Sequence, residues 1–434
     1  MFERLMGLVG LTALLGVAWL MSNNRGRINR RTVLGGMLLQ FALGVLLLWW
    51  APGRVGIQHL SSGVESFLNL SDKGAAFLFG NLADPRHFFP EGGFWPGFGF
   101  QFAFKVLPTI IFFSAFMSIL YYLGVMQLVI RGMAYVMQRT MKTSGSETLS
   151  VTADIFVGQT EAPLLIRPFL STMTVSELHT VMVGGFATIA GGVMAGYIGM
   201  GINPGHLIVA SVMAAPATFV VAKIIHPETE TSCTAGFVKL PPVDCGGNLI
   251  DAAARGTTDG LKLAANVGAM LVSFIALVAF ADWVLGGLDA WIDGRLLGGA
   301  PLPSGESAGW FPGSLSTLFG TLLAPVAYLM GVPWHDAPLV GNLLGIKISV
   351  NEFVGYSRLA EAIHAGQIGD RAQVIATYAL CGFANFSSIG IQIGGITALA
   401  PERRGDAARL GLKAMVAGTI VTCMTACIAG LVMQ

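Results

Sequence analysis

The chain has 434 residues, of which 25 are Lys or Arg and 24 are Asp or Glu, and charged side chains make up only 11%. A soluble globular domain carries roughly 25%. Apolar residues reach 54%, glycines number 57, the formal net charge is +1 and the mean hydropathy is +0.69. This composition excludes a soluble enzyme. It also excludes a disordered chain, which needs low hydrophobicity with high charge, and a nucleic-acid binder, which needs a basic face. It points to an all-α integral membrane protein.

The elements follow from hydropathy and charge. Stretches of about 20 apolar residues span a bilayer as helices, and the first two cover residues 5–21 and 33–50. The first is a retained span rather than a signal peptide, because its basic residues follow the apolar run and no small-residue cleavage site comes after it. The connecting loop carries Arg25, Arg27, Arg30 and Arg31. Short loops rich in Lys and Arg stay inside, so the N-terminus is expected outside. Residues 54–73 mix Arg54, Glu65, Asp72 and Lys73 with apolar residues and suggest an interfacial helix. Residues 80–100, rich in Gly, Pro and Phe, read as an external loop. A third span covers 102–126, and residues 127–142 form an amphipathic stretch on the inside.

Residues 146–172 are apolar but interrupted by Asp154, Gly158-Gln159-Thr160-Glu161 and Pro163. Irregular backbone at membrane depth must be lined by protein or water, so a re-entrant hairpin is expected. A Gly-rich run at 178–201 follows, with Gly184, Gly185, Gly191 and Gly192. Then come a span near 206–225, a polar cytoplasmic segment to about 263 and a span near 266–288. An interfacial stretch lies near 314–323. A second broken segment, 325–360, carries Pro333, Pro338, Lys347, Asn351 and Glu352. A Gly/Ser-rich span at 372–399 precedes Arg403, Arg404 and Arg409 and a last span to about 432, with the C-terminus outside.

The two halves share a plan. Gly185-Phe186-Ala187-Thr188 and Gly382-Phe383-Ala384-Asn385 each follow a broken segment that holds a glutamate, Glu161 or Glu352. The loop charges send the two hairpins in from opposite sides. Such an inverted repeat with broken helices is the signature of a secondary transporter with its site at the midplane. The organisation expected is 1–100 for N-terminal scaffold spans and interfacial helix, and 101–126 for a scaffold span. A first repeat covers 127–225, a cytoplasmic segment and scaffold span 226–312, and a second repeat 313–434. About eight transmembrane helices, two re-entrant hairpins and the interfacial helices result.

Ionisable residues inside membrane segments are costly and functional by default. Asp154, Glu161, Lys347 and Glu352 qualify, with Gln159, Thr160, Thr188, Asn351, Asn385, Ser387 and Ser388 beside them. Carboxylates accept from sugar hydroxyls, amides both donate and accept, and freed carbonyls at a helix break coordinate cations. Lys347 could instead snorkel to the interface. The five cysteines read as ordinary thiols. Gly305-Glu306-Ser307-Ala308-Gly309 fits G-x-S-x-G but lacks the strand–turn–helix context of a nucleophile elbow. No nucleotide-binding P-loop and no H-E-x-x-H motif is present.

At these residues the sequence resembles the concentrative nucleoside transporters. The motifs that carry the resemblance are Gly158-Gln159-Thr160-Glu161-Ala162-Pro163, the run from Gly345 through Lys347, Asn351 and Glu352 to Tyr356, and Phe383-Ala384-Asn385-Phe386-Ser387-Ser388-Ile389-Gly390. The middle run follows G-x-K-x-x-x-N-E-F-V, and the resemblance covers nearly the whole chain in the prokaryotic eight-span form. It implies a homotrimer whose protomers each hold a scaffold and an inner transport domain. It implies that Gln159, Thr160 and Glu161 meet the nucleobase, with Val193 packing on it. Glu352, Asn385 and Ser388 would hold the ribose, and Phe383 would form an aromatic wall. The family's sodium site maps onto Asp154, Val157, Thr188 and Ile189, the Val and Ile through carbonyl oxygens. Sodium-coupled members usually have Asn where this chain has Asp154, so the resemblance leaves both Na⁺ and H⁺ open as coupling ion.

The expectation is therefore a cation-coupled symporter of the inner (plasma) membrane that imports nucleosides such as uridine, adenosine or cytidine by elevator-like alternating access. No cofactor beyond the coupling ion and no nucleic-acid partner is expected. A transporter of another small polar solute, a nucleobase or a sugar, is the alternative, and an intramembrane enzyme a remote one.

Overall fold

The computed structural model describes residues 2–84, 87–88, 101–159, 161–234, 246–300, 307 and 309–433. Thr160, Cys245, most of the 80–100 loop and part of the 305–309 motif lie outside these. Among the described residues the regular structure is helical. Seven segments are long and apolar enough to cross a bilayer: Glu3–Leu20, Arg30–Trp49, Phe102–Tyr122, Val175–Gly199, Pro204–Ile225, Leu249–Leu296 and Pro401–Val432. The span expected at 372–399 is a pair of helices, Asp370–Leu380 and Phe386–Leu399, neither long enough alone.

Asparagine side chains start many of these helices. Asn29, Asn203, Asn248, Asn351 and Asn385 each accept a hydrogen bond from a backbone N–H two or three residues on. Such caps satisfy donors that the helix cannot. The cap at Asn248 changes one expectation. Residues 249–263 are not part of a separate polar stretch but the start of one long helix, Leu249–Asp289. Ala252, Gly256, Gly260, Ala264 and Val267 form a buried stripe along one face of it. Polar residues on the other faces hide this period in a hydropathy average. The stripe packs on helix Phe102–Tyr122, where a β-carbon at Gly256 or Gly260 would come within 2.6–3.0 Å of Ser118, Ser114, Ala115 or Ile111. Small residues at this spacing let helix backbones approach closely.

The two hairpins have their bases at opposite ends of the molecule. The first comprises Gly145–Asp154 and the short helices Ala162–Leu165 and Arg167–Leu170. At its base the buried Lys223 ammonium lies 2.8 Å from Glu147 and donates to Ser176 Oγ at 3.0 Å. At the same end Asn23 N–H donates to Ile225 O, Lys413 donates to Asn23, and Arg31 donates to Arg139 O. The second hairpin comprises Ala337–Ser349 and Glu352–His364. Its base is held by Gly369 N–H on Asp336, beside Arg371, which donates to Gly331 O and Gly430 O and lies 3.8 Å from Glu3. Glu3 and Asn23 lie at opposite ends of the first span, and that separates the two bases.

Each hairpin is followed by an interrupted helix, Val175–Ala187 with Gly191–Gly199, and Asp370–Leu380 with Phe386–Leu399. The two interruptions touch. Phe383 N–H donates to Thr188 O at 3.3 Å, and a β-carbon at Gly382 would come within 2.7 Å of Phe186 O. The last helix, Arg404–Val432, packs behind both, with Gly418 against Phe186. Cys381, Cys423 and Cys427 are buried free thiols and Cys233 is exposed.

The small-residue seam is testable. Gly260→Leu should destabilise the purified protein by about 1–3 kcal/mol, because the facing backbone cannot yield. Gly63→Ala, in a helix with open space around it, should be neutral or slightly stabilising. Thermal unfolding in detergent compares the two, and an unshifted midpoint for Gly260→Leu would refute the seam.

Candidate functional site

The first hairpin reverses between Asp154 and Ala162. Gly158 has φ +110°, a conformation that side chains with a β-carbon rarely adopt, and its missing β-carbon would come within 2.8 Å of Ala190 Cβ. Glycine here lets the tip lie directly on the break of the first interrupted helix. Gly191 N–H then donates to Phe156 O at 2.9 Å and ties tip to break. Gly185 does the same one turn away, leaving room for Gln159.

The second hairpin reverses at Val350-Asn351. Asn351 caps the next helix through Val354 N–H, which puts Glu352 in its first turn. Negative charge is favoured there by the helix dipole and the unpaired N–H groups. Glu352 is buried and held on both sides. Tyr197 Oη donates to Oε1 at 3.1 Å, and Asn385 Nδ2 donates to Oε2 at 3.0 Å. Asn385 in turn caps the half-helix Phe386–Leu399: its Oδ1 accepts from Ser388 N–H and from Ser387 Oγ. Gln159 Nε2 donates to Ser388 Oγ at 3.2 Å, so the first hairpin tip joins the second repeat.

These groups open on one cavity of about 690 Å³. Of the residues expected at the substrate, Gln159, Glu161, Val193, Glu352, Phe383, Asn385 and Ser388 all line it, and Thr160 lies outside the described residues. A carboxylate with four lone-pair sites has two engaged here and can accept further hydrogen bonds from a ligand. The cavity wall thus pairs a strong acceptor with amide and hydroxyl groups.

The residues mapped to the cation site sit elsewhere. Val157 lines the cavity, but Asp154, Thr188 and Ile189 are fully buried behind the tip. Both Asp154 oxygens lack a hydrogen-bond partner among the described residues. Gly184 faces Oδ2, and Thr188 Oγ1 donates to Gly184 O at 2.9 Å. Asp154 and Thr188 thus both lie against Gly184 of the first interrupted helix, with Val151 beside them. Lys347 neither snorkels nor lines the cavity. It is wholly buried and donates to Ala379 O at 2.8 Å and Thr422 Oγ1 at 2.9 Å. Ala379 lies in the last turn of Asp370–Leu380, so the ammonium satisfies a carbonyl freed by the second break.

Sequence reading missed Tyr197 and Gln392, which hold site residues from behind, and Asp259, Lys262 and Asn266, which line the far wall from the long helix. A tyrosine in an apolar run carries no distinguishing local signal. The three long-helix residues were legible in principle, as polar positions between the small residues of the stripe.

Comparison with known proteins decides the family. Residues 206–430 match the family described as "Na+ dependent nucleoside transporter C-terminus", residues 9–82 its N-terminal counterpart, and residues 103–204 a "nucleoside recognition" family. The chain belongs to the Na⁺-dependent nucleoside transporters. The transporter is 42% identical to an uncharacterised transporter of Haemophilus influenzae over 98% of this chain and 97% of that one. It is equally 42% identical to sodium/nucleoside cotransporter 1 of Rattus norvegicus, matching 99% of this chain and 64% of the longer rat protein. Among solved structures it is similar to CNTnw in an inward-facing substrate-bound state, with TM-score 0.88, 42% identity and coverage of 99% and 98%. A variant of CNTnw in an outward-facing state gives TM-score 0.90 at 41% identity, with coverage of 99% and 98%.

The support of Glu352 in this transporter gives a second prediction. Tyr197→Phe removes one donor from a buried carboxylate and should cost about 1–3 kcal/mol. Thermal unfolding of the purified variant measures it, and an unchanged midpoint would show that the Tyr197 hydroxyl gives no support.

Proposed function

We propose that this protein is a cation-coupled symporter of the plasma membrane that takes nucleosides into the cell by alternating access. It is a transporter and not an enzyme. The observation that carries the reading is the Glu352 arrangement, a buried carboxylate at a hairpin tip, held by Tyr197 and Asn385 and open to the cavity. In this reading the ribose hydroxyls donate to Glu352, with Asn385 and Ser388 completing the ribose site. A nucleobase without ribose would leave the remaining acceptor sites of that buried carboxylate unused, which favours a nucleoside over a nucleobase. Gln159, Thr160 and Glu161 face the base, Val193 packs on it and Phe383 closes one side.

Sodium is the coupling ion that the family membership supports. The site proposed for it uses the Asp154 carboxylate, the Thr188 hydroxyl and the carbonyls of Val157 and Ile189. One observation favours a second reading. Asp154 is a carboxylate with no hydrogen-bond partner among the described residues, and a carboxylate, unlike an amide, can carry a proton. Either ion would draw the first hairpin tip onto the first break and so complete the cavity wall.

Movement of the hairpins and interrupted helices as a body against the scaffold, an elevator, is the form of alternating access that the cavity's position between the two supports. Its far wall is built by Phe102–Tyr122 and the long helix. The exposed apolar side chains of that helix, including Val272, Leu277, Phe280 and Trp283, suit lipid or the neighbouring protomers of a homotrimer. The gathering of Arg25, Arg31, Arg139 and Lys413 at one end favours that end inside and both termini outside.

Glu352→Gln should lower uridine uptake into proteoliposomes to near background while the protein keeps its melting behaviour. Uptake at the wild-type rate would sink the ribose assignment. Competition with uridine, uracil and ribose checks the solute class, with uridine the strongest competitor expected. For the ion, uptake is driven separately by a Na⁺ gradient and by a pH gradient, in wild type and in Asp154→Asn. Sodium coupling through an oxygen cage predicts Na⁺-driven uptake that survives the amide in weakened form. Proton coupling through Asp154 predicts pH-driven uptake that the amide eliminates.

A further inference from the structure

Gln392 lies in the half-helix Phe386–Leu399, buried behind the cavity, which it does not line. Its Nε2 lies 3.0 Å from the backbone oxygen of Met182 and 3.1 Å from Oε1 of Gln159. The first of these contacts decides how both amides point. A backbone carbonyl only accepts, so the Gln392 atom beside Met182 O must be nitrogen; an oxygen there would be repelled. That nitrogen has two hydrogens, one for Met182 O and one for Gln159. The Gln159 atom facing it must then be oxygen, which turns Gln159 Nε2 toward Ser388 Oγ, 3.2 Å away, and toward the cavity. Flipping either amide would set nitrogen against nitrogen or oxygen against oxygen in a buried place.

The surrounding backbone is shaped to allow this contact. A β-carbon at Gly185 would come within 2.7 Å of Gln392 Nε2 and 2.8 Å of Gln159 Cβ. Only at a glycine can Gln392 reach across the first interrupted helix to the hairpin tip. The chain of bonds joins three elements of the site: the helix that carries Met182, the half-helix that carries Gln392 and Ser388, and the first hairpin.

We propose that Gln392 is a positioning residue that locks the Gln159 amide as a hydrogen-bond donor toward the ligand, so that the first hairpin selects bases presenting an acceptor there. This rests on the assignment of Gln159 to the nucleobase. Ser388 is drawn into the same polarity. Its oxygen accepts from Gln159, which leaves the hydroxyl proton to donate. At Gln159 the transporter therefore meets its ligand with a donor, beside the acceptor Glu161 on the same hairpin, and with the Glu352 acceptor on the other side. A nucleoside fits that polarity when base acceptors lie on one side and ribose hydroxyls on the other.

The test measures competition by nucleosides whose base acceptors are weakened one at a time. The probes are uridine against 2-thiouridine and 4-thiouridine, and adenosine against 3-deazaadenosine and 7-deazaadenosine. In wild type, one analogue should bind about three- to tenfold more weakly than its parent. Gln392→Met, which keeps volume but cannot hold the amide, should bring that ratio close to one. Gln392→Leu, which also removes the amide and does not touch Gln159, should do the same and serves if Gln392→Met does not fold. Gln159→Ala separates the two layers of the reading. If it removes the penalty while both other variants retain it, Gln392 does not position Gln159 and the proposal is overturned, with the base assignment standing. If no analogue is penalised in wild type, or Gln159→Ala leaves the penalty intact, the base assignment fails and the proposal with it.

Discussion

The contact on which the rest of the molecule depends is the meeting of two helix interruptions. Phe383 N–H donates to Thr188 O, and Gly382 lies so close to Phe186 that no β-carbon would fit. Broken helices within lipid expose backbone groups that must be satisfied by protein. Here each break helps to satisfy the other, and the last helix closes the back through Gly418 and Thr422. Bringing the breaks together also brings the half-helix starting at Gly191 and the one starting at Phe386 to one place. The two hairpin tips then have a single destination, although their bases lie at opposite ends.

The buried charges sort themselves around that contact by how they are satisfied. Lys347 donates to a carbonyl and a hydroxyl and serves the second break. Glu352 is supported on both oxygens yet keeps acceptor capacity toward the cavity. Asp154 has nothing to accept from among the described residues. A buried carboxylate left in that condition is unfavourable unless it gains a cation or a proton. The same chemical group thus supports a different expectation in each place: substrate recognition where half-satisfied, and ion coupling where unsatisfied. Lys347, turned onto the freed carbonyl of Ala379, supports the break itself.

Much of this was legible in the linear chain, and the reasons are local. Apolar runs and arginine loops marked the spans. Gly158-Gln159-Thr160-Glu161 and Asn351-Glu352 interrupted apolar segments, and the shared Gly-Phe-Ala marked both breaks. Tyr197 and Gln392 were not legible. Each acts through an atom far away in sequence, and neither differs from an ordinary residue of an apolar helix until its partner is in place. The long helix was read too short for a related reason. Averaging hydropathy over Leu249–Asp289 dilutes a stripe that only the facing helix Phe102–Tyr122 makes meaningful.

The sequence by itself determined that the chain lives in lipid, that it carries two interrupted repeats, and which carboxylates stand at their interruptions. Those are consequences of composition, period and charge, which act over a few turns of helix. Only the tertiary structure decided that Glu352 is held by Tyr197 and Asn385, that Lys347 turns away from the cavity, and that the Gln159 amide points its nitrogen at Ser388. Those are matters of hydrogen-bond direction between groups distant in the chain. Direction in a buried network is set by whichever partner cannot rotate, and here that is the backbone oxygen of Met182.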